Sequence, residues 1–181
     1  MITVQTGDIF ESGAQTLVNT VNCVGVMGKG IALEFKRRFP EMYEEYVHLC
    51  GLGKVELGRP YLYKGLTPPW ILNFPTKDHW RSVSRLDDIV NGLRHVERHY
   101  RDWGITSLAV PPLGCGQGQL EWRAVGPTLY RHLKRLDIDV VLYAPFGTPH
   151  EELRESFLTD ALRDAGPERR EAPYRIPPGW I

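Results

Sequence analysis

Two hydrophobic periods alternate along this chain, one typical of strands and one typical of helices. Short β-branched and apolar runs bounded by turn residues predict six strands, at residues 2–5, about 15–22, 61–63, 70–74, 107–110 and 138–143. The last run is continuously apolar, which is typical of a strand in the middle of a covered sheet.

Helices are predicted between these strands. The clearest covers about 85–103, where apolar residues recur every three or four positions, and two shorter ones cover about 30–39 and 40–50. Another helix is predicted to start at Pro127, because proline is tolerated at the first helical position, with Leu129, Leu133 and Leu136 on its inner face. The alternation predicts an α/β fold in which helices sandwich the sheet.

The composition shifts towards charged residues after Pro145. Thr148 and Glu151 fit a capping box, and an apolar stripe runs up to Gly166, so an additional helix within 147–166 is expected to pack on the domain. Residues 167–181 lack periodicity and are predicted to form an extended tail or linker.

Length, cysteine usage and charge narrow the class of protein. The 181 residues, 42% of them hydrophobic, suit one domain better than two large ones. Cys23, Cys50 and Cys115 have neither disulfide-framework nor metal-ligand spacing, which predicts a reduced, cytoplasmic protein. No signal-peptide pattern or membrane-length apolar run is present. With 22 basic and 22 acidic residues, bulk polyanion binding is excluded, so any nucleic acid must be held locally.

A glycine-rich segment lies between the second strand and the helix at 30–39. Gly25, Gly28 and Gly30 can adopt positive φ and allow close backbone approach, so successive N–H groups can converge on an anion at the helix start. The segment predicts a phosphate-binding loop. A Walker loop is excluded, because Lys29 precedes Gly30 instead of a serine or threonine.

Three loops that follow predicted strands carry unusual residues. They are called here the first loop (19–30), the second loop (74–81) and the third loop (111–118). Since ligand sites of such sheets form at the carboxyl ends of strands, the three are expected to meet around one crevice. Two glycine-rich loops suit a diphosphate better than a single phosphate.

The motifs in these loops resemble the ordered signature of a macrodomain, the ADP-ribose-binding fold. That signature is carried by Gly7-Asp8-Ile9, Val18-Asn19, Asn22, Gly28 to Ala32 and Gly114 to Gly116. Within the family, the segments 21–32, 73–81 and 111–116 are similar to those of the DarG group in particular. That group comprises antitoxins that remove ADP-ribose placed on thymidine of single-stranded DNA by a DarT toxin. The resemblance covers residues 1–146 and implies a mixed central sheet in a three-layer α/β/α macrodomain.

The resemblance implies positions for ADP-ribose. Asp8 would accept a hydrogen bond from the adenine amine, although it can equally cap a turn. Asn22 would bind the distal ribose, whereas Asn19 is more suited to bracing its loop and Lys29 is as easily a solvated side chain. The predicted ligand-binding residues are Gly7, Asp8, Ile9, Asn19, Asn22, Gly25, Met27, Gly28, Lys29, Gly30, Ile31, Ala32, Thr76, Pro112, Leu113, Gly114, Cys115, Gly116, Gln117 and Gly118.

Lys77 corresponds to a catalytic lysine in the DarG group and in the vertebrate terminal ADP-ribose glycohydrolase, and is assigned the chemistry together with Asn22 and His79. It would attack or stabilise the anomeric carbon of the distal ribose. An attacking amine must be neutral, so burial or Arg81 would have to lower its pKa. No metal or other cofactor is required.

One departure from the pattern concerns proton transfer. The vertebrate enzyme has an aspartate after its Gly-Cys-Gly loop, whereas this chain has Gln117-Gly118-Gln119, and Glu121 is a weakly supported substitute. Thymine can leave as an anion, or His79 can protonate it. Cys115 is better explained as a small residue in a tight loop than as a nucleophile.

The leading hypothesis is therefore a DNA ADP-ribosyl glycohydrolase. Trp80 and Arg81 are the predicted DNA contacts, by stacking and by charge, although tryptophan often serves packing alone. The expected partners are ADP-ribose, ADP-ribosylated single-stranded DNA and a DarT-type toxin, with a monomeric chain and no membrane. The alternatives are a non-catalytic ADP-ribose reader and a hydrolase of a protein ester or ADP-ribose 1″-phosphate.

Overall fold

A computed structural model describes residues 1–164 and contains one six-stranded sheet. The strands lie in the order β1-β6-β5-β2-β4-β3, and every neighbouring pair is parallel except β3 with β4. Their bounds are β1 Ile2–Gln5, β2 Thr16–Val21, β3 Tyr61–Tyr63, β4 Trp70–Pro75, β5 Ser107–Val110 and β6 Asp139–Tyr143. The carboxyl ends of five parallel strands therefore share one edge.

Helices cover both faces of the sheet, which confirms the predicted three-layer α/β/α architecture. On one face, α1 (Gly30–Arg38) and α2 (Pro40–Gly51) bury Phe35, Met42 and Tyr46. On the other face, α3 (Leu86–His99), α4 (Trp122–Leu133) and α5 (Glu155–Asp164) enclose the larger core. Within residues 1–164, no helix is both long and apolar enough to cross a membrane.

Strand β2 supplies side chains to both cores. Leu17 and Val21 pack under α1 and α2, whereas Val18 points into the core beneath α3 and α4. Because successive side chains of a strand alternate between faces, a strand covered on both sides is mostly apolar. Thr16 and Asn19 are the fully buried polar residues of β2, and Asn19 lies on the α1 and α2 face.

Helix α1 ends where the sequence predicts. Pro40 disfavours helical backbone at Phe39, so α1 stops at Arg38 and α2 begins with the proline in its first turn. Phe35 is fully buried, and its ring lies 4.8 Å from that of Phe10, centroid to centroid. This contact anchors the helix beside the segment that follows β1.

The predicted start of α4 at Pro127 is wrong. The helix begins at Trp122, and Pro127 lies inside it at the loss of one helical hydrogen bond. Trp122 is buried and its Nε1–H donates to the Glu152 carbonyl at 3.2 Å. A Cβ at Gly126 would lie 2.7 Å from the indole, so the glycine makes room for the ring. Tertiary burial of Trp122 therefore outweighs the local proline signal.

The segment after β6 also begins its helix later than predicted. The Thr148 hydroxyl donates to the Pro145 carbonyl at 2.6 Å instead of capping Glu151, so the predicted capping box is wrong. A 3-10 helix, His150–Leu153, comes first, and α5 follows with Leu158 buried in the larger core. Residues 165–181, including the predicted tail at 167–181, lie outside the described residues. The division into 1–146, 147–166 and 167–181 stays a prediction.

Candidate functional site

The three predicted loops meet at the shared carboxyl edge. The Cys23 N–H in the first loop donates to the Asp78 carbonyl in the second at 3.0 Å. Just beyond the second loop, the Ser84 N–H donates to the Gly118 carbonyl in the third at 2.9 Å. These bonds join the second loop to the first, and the chain just beyond it to the third, so the three loops lie side by side at the edge that the strand order predicts.

Lys77 lies where the second and third loops meet. Its Nζ donates to the Trp80 carbonyl at 3.0 Å and to the Gln117 carbonyl at 3.4 Å. The side chain is half-buried, and burial lowers the pKa of Lys77 below the ordinary lysine value. The sequence suggested burial or Arg81 as the cause of a lowered Lys77 pKa, and the structure shows burial. A lysine in this state keeps a larger neutral fraction than a free one.

Asn22 closes the first loop onto itself. Its Oδ1 accepts from the Val24 and Val26 N–H groups at 3.1 and 3.4 Å, and its Nδ2 donates to the Val26 carbonyl at 2.7 Å. The Tyr46 hydroxyl lies 2.8 Å from both Oδ1 and the backbone carbonyl of Asn22 and can donate its one hydrogen to either. The side chain that was expected to bind the distal ribose thus also holds the loop in shape.

The glycines of the first loop differ in conformation. Gly25 and Gly30 have φ values of 85° and 57°, as expected, whereas Gly28 is not in the left-handed region, contrary to the expectation. Lys29 is exposed and precedes α1 without capping it by its side chain. The first N–H groups of α1, starting at Gly30, have no carbonyl one turn earlier to pair with, so this end suits an anion.

A buried amide pair lies beneath the first loop. The Asn19 Nδ2 donates to the Asn73 Oδ1 at 3.1 Å and contacts the Met27 sulfur at 3.8 Å. Asn19 and Met27 are both buried, so neither side chain is open to a ligand in this conformation. The expectation that Asn19 braces its loop fits this geometry, and Met27 can reach a ligand only through its backbone.

The third loop packs tightly against the chain just past the second. A Cβ at Gly118 would lie 2.9 Å from Ser84 Cβ, and Gly114 has a φ of 78° with no room for a side chain. Leu113 is fully buried and Thr76 nearly so, so both side chains are closed to a ligand. These two residues can therefore contact a ligand only through their backbone, as residues of a phosphate cradle do.

Cys115 is a half-buried thiol in the third loop. Burial raises its pKa to about 11, so the thiolate is scarce near neutral pH. Among residues 1–164, no group of three or more histidine, cysteine, aspartate or glutamate side chains could hold a metal ion. The thiol accordingly has the character of a packing residue.

Three exposed side chains project from the second loop. The His79 and Trp80 rings stack at 5.3 Å between centroids, and the Arg81 guanidinium lies 4.5 Å from the Trp80 ring centroid. The Arg81 N–H donates to His79 Nδ1 at 3.1 Å. Because a backbone amide can only donate, Nδ1 carries no hydrogen, and the neutral ring has its N–H at Nε2.

A cavity of about 460 Å³ opens at the same edge beside β1 and β6. Asp8 lies at its rim, exposed, with Oδ1 accepting the Phe10 N–H at 2.9 Å. The carboxylate therefore caps a turn and still has a second oxygen for a ligand. Of the predicted binding residues, the lining includes Gly7, Asp8, Ile9, Ile31 and Pro112, whereas Lys77, Asn22 and the glycines of the third loop lie outside it.

Several lining residues were not predicted from the sequence. Phe146 is fully exposed although it is aromatic, and Tyr143 lies at the end of β6. Arg38 completes the far wall with its guanidinium 4.1 Å from the Phe10 ring centroid. The sequence did contain a signal for them. Because 138–143 predicts a strand, the residues that follow it should lie at the carboxyl edge of the sheet, beside the three loops.

Residues 18–129 match the Macro domain family. The chain belongs to the macrodomain family. Strand order, loop positions and the sequence match agree on this assignment, as the resemblance of the motifs had predicted.

The macrodomain is similar to proteins of the DarG type, which confirms the resemblance predicted from the motifs. It is 48% identical over 151 residues to the DNA ADP-ribosyl glycohydrolase of Mycobacterium tuberculosis, an alignment that covers 81% of this chain and 43% of that protein. The solved macrodomain of Mycobacterium tuberculosis DarG matches with a TM-score of 0.77 at 48% identity, over 80% of this chain and 98% of that one.

A further solved relative contains the ligand expected here. Thermosipho africanus DarTG in complex with ADP-ribose matches with a TM-score of 0.78 and 44% identity, over 84% of this chain and 44% of that chain. The chain thus spans less than half the length of the DarG relatives that it matches most strongly.

Proposed function

We propose that this macrodomain is a glycohydrolase that removes ADP-ribose from thymidine in single-stranded DNA and so reverses a DarT-type toxin. The observation that carries the proposal is Lys77, an amine with a lowered pKa held between the second and third loops. The similarity to DNA ADP-ribosyl glycohydrolases supports the same substrate.

In the proposed complex, ADP-ribose lies along the carboxyl edge of the sheet. The adenine occupies the cavity beside Asp8, where Phe146 is free to stack on it. The diphosphate lies between the first and third loops, against the backbone N–H groups at the start of α1. The distal ribose then reaches Asn22 and Lys77. A monomer in the cytoplasm is part of the same proposal.

Lys77 acts on the anomeric carbon as the bond to thymine breaks. Either the neutral amine attacks that carbon and water later releases the sugar, or the ammonium stabilises negative charge while water attacks directly. In both routes the bonding electrons leave with the base, and one proton is needed to neutralise it. His79 can donate that proton from Nε2 when its ring is an imidazolium, a form in which Nδ1 carries a hydrogen and the bond from the Arg81 N–H is released.

The test is the release of ADP-ribose from a modified single-stranded oligonucleotide. Lys77→Ala is expected to reduce turnover by at least a factor of about 10³, a typical loss for a reacting group, while binding of free ADP-ribose stays close to wild type. Lys77→Arg is the matched control, because it retains charge and cannot become neutral.

Two outcomes would count against the proposal. Full activity of Lys77→Ala would remove the catalytic role of Lys77. A folded wild type that binds ADP-ribose but does not act on the oligonucleotide would favour an ADP-ribose reader or a hydrolase of another conjugate.

The DNA strand is proposed to cross the second loop at Trp80 and Arg81. Trp80 is 44% exposed and already has the Arg81 guanidinium over its ring, which is a suitable platform for an unstacked base. Trp80→Ala is expected to weaken binding of modified DNA about tenfold and to leave free ADP-ribose binding unchanged. Fluorescence anisotropy with both ligands measures this, and an equal effect on both would assign Trp80 to packing.

A further inference from the structure

Helix α2 presents two tyrosines to the underside of the first loop. Tyr46 is fully buried, and its hydroxyl lies 2.8 Å from both the backbone carbonyl and Oδ1 of Asn22. One turn earlier, the Tyr43 hydroxyl donates to the Gly25 carbonyl at 3.4 Å. The loop is thus held from below by a helix as well as by its own backbone.

The contacts of Asn22 show which end of its amide is the oxygen. The N–H groups of Val24 and Val26 donate to one atom, which must therefore be the oxygen, and the Tyr46 hydroxyl lies 2.8 Å from the same atom. The nitrogen uses one of its two hydrogens on the Val26 carbonyl. The second amide hydrogen is the remaining polar valence, so Asn22 has a donor to offer a ligand and not an acceptor.

The Tyr46 hydroxyl is suited to hold the Asn22 amide in this orientation. Burial raises the pKa of Tyr46 well above its usual range, so the hydroxyl keeps its hydrogen. The residue lies in the middle of α2, which spans twelve residues from Pro40 to Gly51. A group on a packed helix holds its partner more firmly than one on a loop.

We propose that Tyr46 is a positioning residue for ADP-ribose, acting through Asn22. It aims the free Asn22 N–H at a ribose hydroxyl oxygen and keeps the first loop in its binding conformation. This inference rests on the proposed function, because it takes ADP-ribose as the ligand of the crevice. It adds a residue that touches no ligand and that supports the first loop from helix α2.

Tyr46→Phe removes the hydroxyl and retains the ring. ADP-ribose binding measured by calorimetry is expected to weaken about tenfold, the effect of one hydrogen bond that orients a binding group. Tyr100→Phe is the matched control, because Tyr100 is also buried, directly follows α3, and its hydroxyl accepts the Asp137 N–H at 3.1 Å. The control is expected to lose stability and to bind ADP-ribose like wild type.

Nuclear magnetic resonance of the Asn22 side-chain amide separates positioning from general destabilisation. The Asn22 Nδ2 resonances are expected to shift in Tyr46→Phe and to stay in place in Tyr100→Phe. Unchanged resonances together with unchanged ADP-ribose affinity in a folded Tyr46→Phe would overturn the inference.

The wild type supplies a measurement that does not depend on a variant folding. Addition of ADP-ribose is expected to shift the Tyr46 hydroxyl and Asn22 amide resonances together, and ligand binding that moves neither would also overturn the inference. If the wild type does not bind ADP-ribose at all, the proposed function itself fails, which is a separate result.

Discussion

At the scale of single residues, the chemistry of the proposed site depends on how Lys77 is surrounded. The amine is half-buried and donates to two backbone carbonyls, and burial lowers its pKa. The motif around Lys77 pointed to the residue, but the contact with Gln117 forty positions away exists only in the folded chain. That contact joins the amine to the third loop.

A pH profile distinguishes the two roles of Lys77. If the neutral amine attacks, kcat is expected to rise with pH through the lowered pKa and then level off. If the ammonium stabilises charge, kcat is expected to fall over the same interval. Single-turnover rates on modified DNA provide the measurement, and a profile identical in Lys77→Arg would assign the titration to another group.

The lowered pKa of Lys77 also makes the free energy of unfolding depend on pH. Because the pKa of Lys77 is lower in the folded state, the unfolded chain binds more protons between the folded and unfolded pKa values. Stability contributed by this residue therefore rises with pH across that interval. Lys77→Ala would lack this component in urea unfolding curves.

At the scale of elements, the third loop shows why glycine positions are not equivalent. Gly114 and Gly116 have similar φ values of 78° and 70°. A Cβ at Gly114 would lie 2.6 Å from Leu120 Cδ1 and 2.7 Å from Ile89 Cδ1, whereas a Cβ at Gly116 meets nothing within 4 Å. The sequence predicted a backbone cradle here, and the packing shows which glycine also makes room for the core.

Substitution of these two glycines separates strain from collision. Gly116→Ala is expected to lower the free energy of unfolding by about 1 kcal/mol, since only the left-handed backbone is strained. Gly114→Ala is expected to cost roughly 3 kcal/mol, because overpacking adds to that strain. Urea denaturation measures both, and equal losses would contradict the collision.

The sequence predicted helix boundaries correctly where only local signals determine them. Helix α1 ends at Arg38, because Pro40 disfavours helical backbone at Phe39, as expected. Pro127 and the Thr148 capping box misled the prediction, because burial of Trp122 and the bond from Thr148 to Pro145 compete with the local signals. Neither competitor can be read without the fold.

At the scale of the whole molecule, α5 is part of the larger core. Leu158 on α5 is fully buried together with residues of α3 and α4. Around it, Lys134 and Glu155 form an exposed ion pair at 2.8 Å, which contributes little in water. Apolar burial is therefore what attaches this segment to the domain.

Leu158→Ala measures that attachment. The substitution is expected to lower the free energy of unfolding by about 2–4 kcal/mol, the usual cost of a buried cavity. Leu66→Ala is the matched control, because Leu66 is fully exposed and its loss is expected to change stability by less than about 0.5 kcal/mol. A similar small effect at both positions would indicate that α5 is a dispensable addition to residues 1–146.

The sequence by itself determined the alternation of strands and helices, the three loops, the family and the candidate lysine, because these follow from local periodicity and from contiguous motifs. The tertiary structure decided which loops touch, which hydrogen of the Asn22 amide is free, and that Phe146 and Asp8 line one cavity. These features depend on strand order and on burial, which join residues distant in the chain. Side-chain orientation and pKa follow from that environment and not from neighbours in sequence.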